Sequence, residues 1–396
     1  MDDLFTYSKK ASWLEIDTDA LKKNIGSFRH VLRAPAKLGV VLKGNAYGHG
    51  LEQVFPVVHP LVDCIYVITP QDAFKMRQME AAYALPKKQI LVMGAVSLEE
   101  VIECAGQDID VTVAESGWDE IRDALRKLAV RVNVHIHLDT GLNREGFLYN
   151  ALDRAVDFFN DAKDVIRVIG AMSHFADTED VTVQHYALSQ IEAFNEGTKF
   201  LEDKLSLDEP LQKHMAATTA TLVLPNAHYG IVRVGIGLYG LWASREAKLS
   251  TQYVLKERFR LVPALSWKCK SQSIKAVKKG SYVGYGCTYR TAKDSRIAVL
   301  PVGYYDGYSR LITQRGYVLV NQQRCPTIGR VMMNHMIVDV TLATTDQDRE
   351  IEAILIGSDG DEGISTETMA GWAETISYEI TTRLGTHLKR ITLPYA

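Results

Sequence analysis

The sequence predicts an N-terminal parallel (β/α)8 barrel followed by a C-terminal, mainly β domain. Two observations carry this expectation. From about Lys37 to Tyr239, short apolar runs alternate with stretches of helical spacing. After about Ala243 the pattern changes to short strands linked by Gly, Asp and Asn turns.

The candidate barrel strands are Leu38–Lys43, Cys64–Thr69, Gln89–Met93, Ile109–Val113, Val132–Leu138, Val168–Ser173, Gln212–Ala216 and Tyr229–Val234. Helical spacing separates them. Ahead of the first, Leu21, Ile25, Phe28 and Val31 recur at helical intervals, with Asp17 or Asp19 placed to cap the start. About 200 residues is the low end for a barrel, and the strand count alone also fits an open doubly wound sheet. In the second part, Ile297–Val302, Gly316–Val320, Met336–Val340 and Ile351–Ile356 read as strands, and helical spacing returns near Thr366–Leu384. The division expected is a barrel over residues 12–243 and a second domain over 244–396, joined by residues 1–11. Neither an internal repeat nor a low-complexity tract interrupts this pattern.

Composition narrows the function classes. The chain has 396 residues, 46% hydrophobic and 23% charged, with a formal net charge of -3. That balance gives no general affinity for nucleic acid or for an anionic membrane. The acidic start Met1-Asp2-Asp3-Leu4 has no basic segment and apolar stretch of a signal peptide, and no apolar run is long enough to span a bilayer. The five cysteines are scattered without a CxxC pair. This argues against a disulfide framework or a zinc knuckle, points to no metal site, and fits a reducing cytoplasm.

The most informative run is Val40-Val41-Leu42-Lys43-Gly44-Asn45-Ala46-Tyr47-Gly48-His49-Gly50. A lysine ends an apolar β-branched strand, and a turn rich in Gly and Asn follows. In a barrel this is the face where active sites are built. Partial desolvation there lowers the lysine pKa and favours the neutral amine that imine formation needs. The glycines let backbone approach a ligand closely.

This run resembles the cofactor-lysine motif of the alanine racemase family, the fold-type III pyridoxal phosphate enzymes. Further segments carry the resemblance along almost the whole chain. Asp139-Thr140-Gly141-Leu142-Asn143-Arg144-Glu145-Gly146 is similar to the family's DTG-x-x-R-x-G, and Ser173-His174-Phe175-Ala176 to its HFA motif. His214-Met215-Ala216-Ala217-Thr218-Thr219-Ala220 resembles H-x-ANSAA, and Arg233-Val234-Gly235-Ile236-Gly237-Leu238-Tyr239-Gly240 resembles RPGI-x-LYG. In the second part, Tyr282-Val283-Gly284-Tyr285-Gly286-Cys287-Thr288-Tyr289 resembles VSYGATY. Gly303-Tyr304-Tyr305-Asp306-Gly307-Tyr308-Ser309-Arg310 resembles GYADGY-x-R, Gly329-Arg330-Val331-Met332-Met333-Asn334-His335 resembles GRVCMDQ, and Tyr378-Glu379 matches PYE.

The resemblance implies pyridoxal 5'-phosphate as cofactor, held on Lys43, and racemization of L- and D-alanine, supplying D-alanine for peptidoglycan. It implies two opposed bases, Lys43 on the D-specific face and Tyr285 on the L-specific face. Moving a proton from one face of a carbon to the other is done directly by two fixed groups. Phosphate contacts fall to Thr218, to the N–H groups of Gly235 and Ile236, and to Tyr47 and Tyr378. His174 lies near the cofactor ring and helps orient Arg233. Arg233 faces the pyridine nitrogen, where a positive neighbour disfavours its protonation. Arg144 and the N–H of Met333 take the substrate carboxylate. Tyr304, Arg310 and Arg330 line the approach. The family's tyrosine comes from a partner subunit, so a homodimer with shared sites is implied.

The sequence departs from the family pattern at several points. His137 stands where many members have a lysine whose carbamate steadies the carboxylate-binding arginine. Histidine holds no stable carbamate, which leaves another carboxylate, an anion such as chloride, or no partner for Arg144. Ala217 replaces an asparagine, Gly284 a serine and Met332 a cysteine, while Asn334 and His335 replace an Asp-Gln pair near the approach. These changes leave serine or a larger amino acid open as substrate. Decarboxylation or aldol cleavage on the same cofactor, and a non-catalytic cofactor carrier, are the other readings.

Overall fold

Eight short strands, most of them rich in Val and Ile, run parallel in one sheet. The order is Gln212–His214, Ile166–Met172, Val132–His137, Asp110–Val113, Gln89–Val92, Cys64–Val67, Lys37–Val41 and Ile231–Val234. The computed structural model describes residues 12–256 and 259–394. The two ends of the sheet are bridged. Gly230 N–H donates to the Lys213 carbonyl at 3.2 Å, and Arg233 N–H to the Ala216 carbonyl at 2.8 Å. The sheet is therefore a near-closed barrel, and an open doubly wound sheet does not describe it.

All eight sequence-predicted strands are present, with shifted ends. The first stops at Val41 rather than Lys43 because the backbone turns left-handed just beyond it. Every residue of Cys64–Val67, Asp110–Val113 and Ile231–Val234 is buried. That is the signature of parallel strands covered on both faces. One irregularity matters below. Val134 pairs with Val168 but His135 pairs with Gly170, so Ile169 is an extra residue in its strand. Such a bulge re-aims the side chains that follow it.

The helix Thr18–Val31 starts where an aspartate can cap it, and the cap is Asp17. Its Oδ1 accepts from the N–H groups of Asp19 and Ala20, each at 2.9 Å. Leu21, Ile25 and Phe28 on this helix are buried.

The other compact unit comprises, among the described residues, 12–20, Tyr47–Val54 and 262–394. Its sheet runs in the order Ser273–Val277, Ser295–Leu300, Met336–Asp339, Gln323–Ile328, Tyr317–Val320, Glu352–Asp359, Leu265–Lys270, Ser12–Asp17 and Lys389–Leu393. Trp267 and Tyr308 pack edge to face at its core, both fully buried. The four strands expected here are present, as are two helices, Thr366–Ala373 and Ser377–Thr382.

The domain boundaries differ from those expected. Ser12–Asp17 is a strand of the second unit, antiparallel to Leu265–Lys270 and parallel to Lys389–Leu393, not the start of the barrel. Residues 244–256 and 259–261, including the helix Arg245–Leu255, group with the barrel. The assignment of residues 1–11 lies outside the described residues. Among the described residues no helix is long and apolar enough to cross a membrane. All five cysteines are free thiols.

Candidate active site

Lys43 follows the strand Lys37–Val41 and opens a single left-handed turn. Gly44, Asn45, Ala46 and Tyr47 all have φ between 52° and 62°. Glycine adopts this freely, but an L-residue pays about 1–2 kcal/mol. Asn45, Ala46 and Tyr47 therefore hold strain next to the lysine. Ala46 N–H donates to the Leu42 carbonyl at 3.0 Å and closes the turn. Burial lowers the Lys43 pKa, and the charges of Arg144 and Arg233 push in the same direction.

Arg233 ends the last barrel strand and is buried. Its Nη1 donates to the His214 carbonyl at 2.7 Å and to His214 Nδ1 at 2.8 Å. Its Nη2 donates to the carbonyls of Ser173 and Met215 and reaches His174 Nδ1 at 3.4 Å. This fixed fork is a use to which only arginine is suited. Burial lowers its pKa to about 10, so it stays a cation. The imidazoles beside it stay neutral. His174 is held down to about 3 and His137 to about 4, by burial first and then by Arg233.

Around these, the loops after successive strands are tied together. Asp139 Oδ1 accepts from the N–H groups of Gly141 and Asn143 and shapes the loop carrying Arg144. Thr140 Oγ1 and Ser173 Oγ lie 2.8 Å apart. Gln190, which no sequence motif marks, donates to the His174 carbonyl and to Thr140 Oγ1, and accepts from Ala176 N–H. Arg144 is half exposed and pairs with Glu145 at 2.9 Å. Thr218 starts the short helix Thr218–Val223, and its Oγ1 accepts from the N–H groups of Gly235 at 3.1 Å and Gly237 at 3.3 Å. The barrel unit thus brings together Lys43, Arg144, His174, Thr218, Arg233, Gly235 and Ile236 at the ends of its strands.

The second unit holds the remaining expected residues. Tyr47 and Tyr378 lie with ring centroids 6.0 Å apart, and burial pushes the Tyr47 phenol up. Gly48, at φ 81°, packs so closely on the Thr381 carbonyl that a Cβ there would collide with it. Tyr285 stands 72% exposed on a tight turn after Gly284, whose φ of 74° suits glycine and not the family's serine. Tyr304 N–H donates to the Met332 carbonyl and Tyr305 N–H to that of Met333, so these two loops are joined. Arg330 packs against Gly286. Arg310 starts a short turn capped by Ser309. His335 Nε2 bonds to Gln272 Oε1 at 2.9 Å.

Both units of the chain are similar to known proteins. Profiles of the alanine racemase N-terminal and C-terminal domains match residues 16–242 and 264–392. An alanine racemase of Leptospira interrogans is 34% identical over 388 residues, covering 98% of this chain and 96% of that one. The crystal structure of alanine racemase from Bacillus anthracis with bound L-Ala-P aligns with a TM-score of 0.86 at 30% identity, over 97% of this chain and 95% of that one. A histidine racemase from Leuconostoc mesenteroides aligns with a TM-score of 0.83 at 25% identity, over 97% and 98%. Profiles and relatives span both units, and the chain belongs to the alanine racemase family, whose members are amino-acid racemases that use pyridoxal phosphate.

Proposed function

We propose that this protein is a cytoplasmic, pyridoxal 5'-phosphate-dependent racemase that interconverts L- and D-alanine and supplies D-alanine for peptidoglycan. The observation that carries the reading is the buried Arg233 cation in the same cluster of strand ends as Lys43, whose ammonium form it disfavours. The residues present fit the cofactor. A lysine of lowered pKa can hold its carbonyl carbon, and the Thr218 hydroxyl beside the Gly235 and Gly237 amides suits a phosphate.

When bound, the cofactor draws electrons from the substrate α-carbon and so acidifies its proton. Lys43 Nζ holds the cofactor and takes or returns the proton on the D-specific face. The Tyr285 hydroxyl, contributed by a second copy of the chain in a homodimer, does so on the L-specific face. Arg233 would face the pyridine nitrogen, where its positive charge would disfavour protonation, so the ring would be a weaker electron sink and prompt return of the proton would be favoured. His174 supports Arg233. Thr218, Gly235 and Ile236 would hold the phosphate, and Tyr47 and Tyr378 are the further phosphate contacts the family resemblance implies. Arg144 and the Met333 N–H orient the carboxylate, since a planar guanidinium fixes its plane. Tyr304, Arg310 and Arg330 line the approach.

Arg233 argues against decarboxylation and aldol cleavage, and the retained Tyr285 turn argues against a mere cofactor carrier. A broader substrate range is the second reading. The similarity to a histidine racemase and the residues Asn334 and His335 favour it. Turnover of both enantiomers of alanine, serine, lysine and histidine decides between them. The alanine reading expects kcat/KM for alanine to exceed the others, and a higher value for another amino acid overturns it.

A further inference from the structure

Arg233 is a buried cation, and among the described residues no carboxylate lies within ion-pair distance of it. Its fork is filled by carbonyls and by two imidazoles. One of those imidazoles leads further into the barrel. His214 Nε2 lies 2.8 Å from His135 Nδ1, and the far side of His135, Nε2, faces Asp110 Oδ2 at 3.8 Å. The last contact is longer than a hydrogen bond, and His135 Nε2 has no other partner among the described residues.

The direction of every proton in this chain follows from one fact: arginine only donates. Arg233 donates to His214 Nδ1, so that nitrogen is bare and the ring carries its proton on Nε2. His214 Nε2–H then donates to His135 Nδ1, which is bare in turn. His135 therefore carries its proton on Nε2, pointing at Asp110. Burial and Arg233 together hold the His214 pKa well below its ordinary value, so the ring carries a single proton. Asp110 is itself fixed. Gln89 Nε2 donates to Oδ2 at 2.8 Å and Asn133 Nδ2 to Oδ1 at 3.1 Å. The fold makes room for this arrangement. The bulge at Ile169 sets Gly170 opposite His135, and a Cβ on Gly170 would collide with His135 Nδ1.

We propose that Asp110 and His135 are positioning residues for Arg233, acting through His214 along a directed polar chain across the barrel interior: two hydrogen bonds, Arg233 to His214 and His214 to His135, and a longer electrostatic contact between His135 Nε2–H and the Asp110 carboxylate. The carboxylate orients two imidazole dipoles so that a bare nitrogen, the negative end, meets the guanidinium. The chain compensates the buried cation without a neutralising ion pair beside the cofactor ring. Such polarised networks are worth more than their separate links. Its effect on turnover rests on the racemase reading above; the chain itself does not.

The test uses the full-length protein carrying 15N-labelled histidine. Spectra of the imidazole nitrogens should show His135 and His214 each with one proton, on Nε2, at neutral pH. Asp110→Asn should shift the Nε2–H signals of both rings, lower kcat on the order of tenfold, and leave KM within about twofold. His135→Phe should cost a similar factor, and the double variant no more than either single one. A proton on Nδ1 of either ring, a His214 signal unmoved in Asp110→Asn, or losses that multiply in the double variant would each overturn the proposal. Should His135→Phe fail to fold, the spectra and kinetics of Asp110→Asn carry the test alone. The predicted tautomers in a protein that racemizes no amino acid would refute the racemase reading and leave the polar chain standing.

Discussion

Arg144 takes its carboxylate partner from the next residue in the chain: its Nη2 lies 2.9 Å from Glu145 Oε1, with Nε at 3.1 Å. His137, at the position of the family's modified lysine, is buried, and its Nδ1 has no hydrogen-bond partner among the described residues. Glu145 is thus the carboxylate partner of Arg144, in a partly exposed place. Glu145→Gln should raise KM for alanine up to about fivefold at low salt, because a partly exposed pair contributes little and is screened. Steady-state kinetics at low and high ionic strength check this. The gap between wild type and variant should close as salt rises.

The neutral histidines set a pH dependence. His137 and His174 are held to about 4 and about 3, so below pH 6.5 the unfolded chain binds protons that the folded chain refuses. Their contribution to stability is complete above about pH 6.5 and is lost as the pH falls toward 4 and then 3. His137→Asn should flatten the fall of Tm between pH 6.5 and 4 relative to wild type. Thermal melts across that range measure it.

Thr218 Oγ1 is the acceptor for two buried amides. Thr218→Val keeps the shape and removes the acceptor, so it should cost about 1–3 kcal/mol of stability. The affinity for pyridoxal phosphate should fall with it, and Thr218→Ser should restore both. Denaturant unfolding and cofactor titration give the two values.

The strained turn after Lys43 and the glycine beyond it respond in opposite directions. Ala46→Gly relieves a left-handed alanine and should stabilise the fold by up to about 1–2 kcal/mol, while loosening Lys43 and lowering kcat. Gly48→Ala meets both a positive φ and the Thr381 carbonyl, and should destabilise by about 2 kcal/mol or more. Denaturant unfolding separates the two.

Much of the fold was legible because parallel strands buried on both faces leave apolar runs at regular intervals, as in Cys64–Val67 and Ile231–Val234. Ser12–Asp17 is not legible as a strand of the second unit because its partners, Leu265–Lys270 and Lys389–Leu393, lie some 250 residues or more away. No local pattern encodes such pairing. The residues of the candidate site were legible through motifs, since Lys43, Arg144 and Tyr285 each sit in runs where glycines fix the backbone. Gln190, His135 and Asp110 were not. Each acts through the side chain or backbone of another residue, and only three-dimensional proximity reveals that.

The most direct measurement of the central claim is α-proton exchange with solvent deuterium, starting separately from L- and D-alanine. Wild-type protein should incorporate deuterium from both enantiomers, and Lys43→Ala from neither. Tyr285→Phe should slow exchange from L-alanine on the order of a hundredfold or more while sparing exchange from D-alanine. Equal slowing from both enantiomers in Tyr285→Phe, or a Lys43→Ala protein that still exchanges at the wild-type rate, would contradict the two-base account.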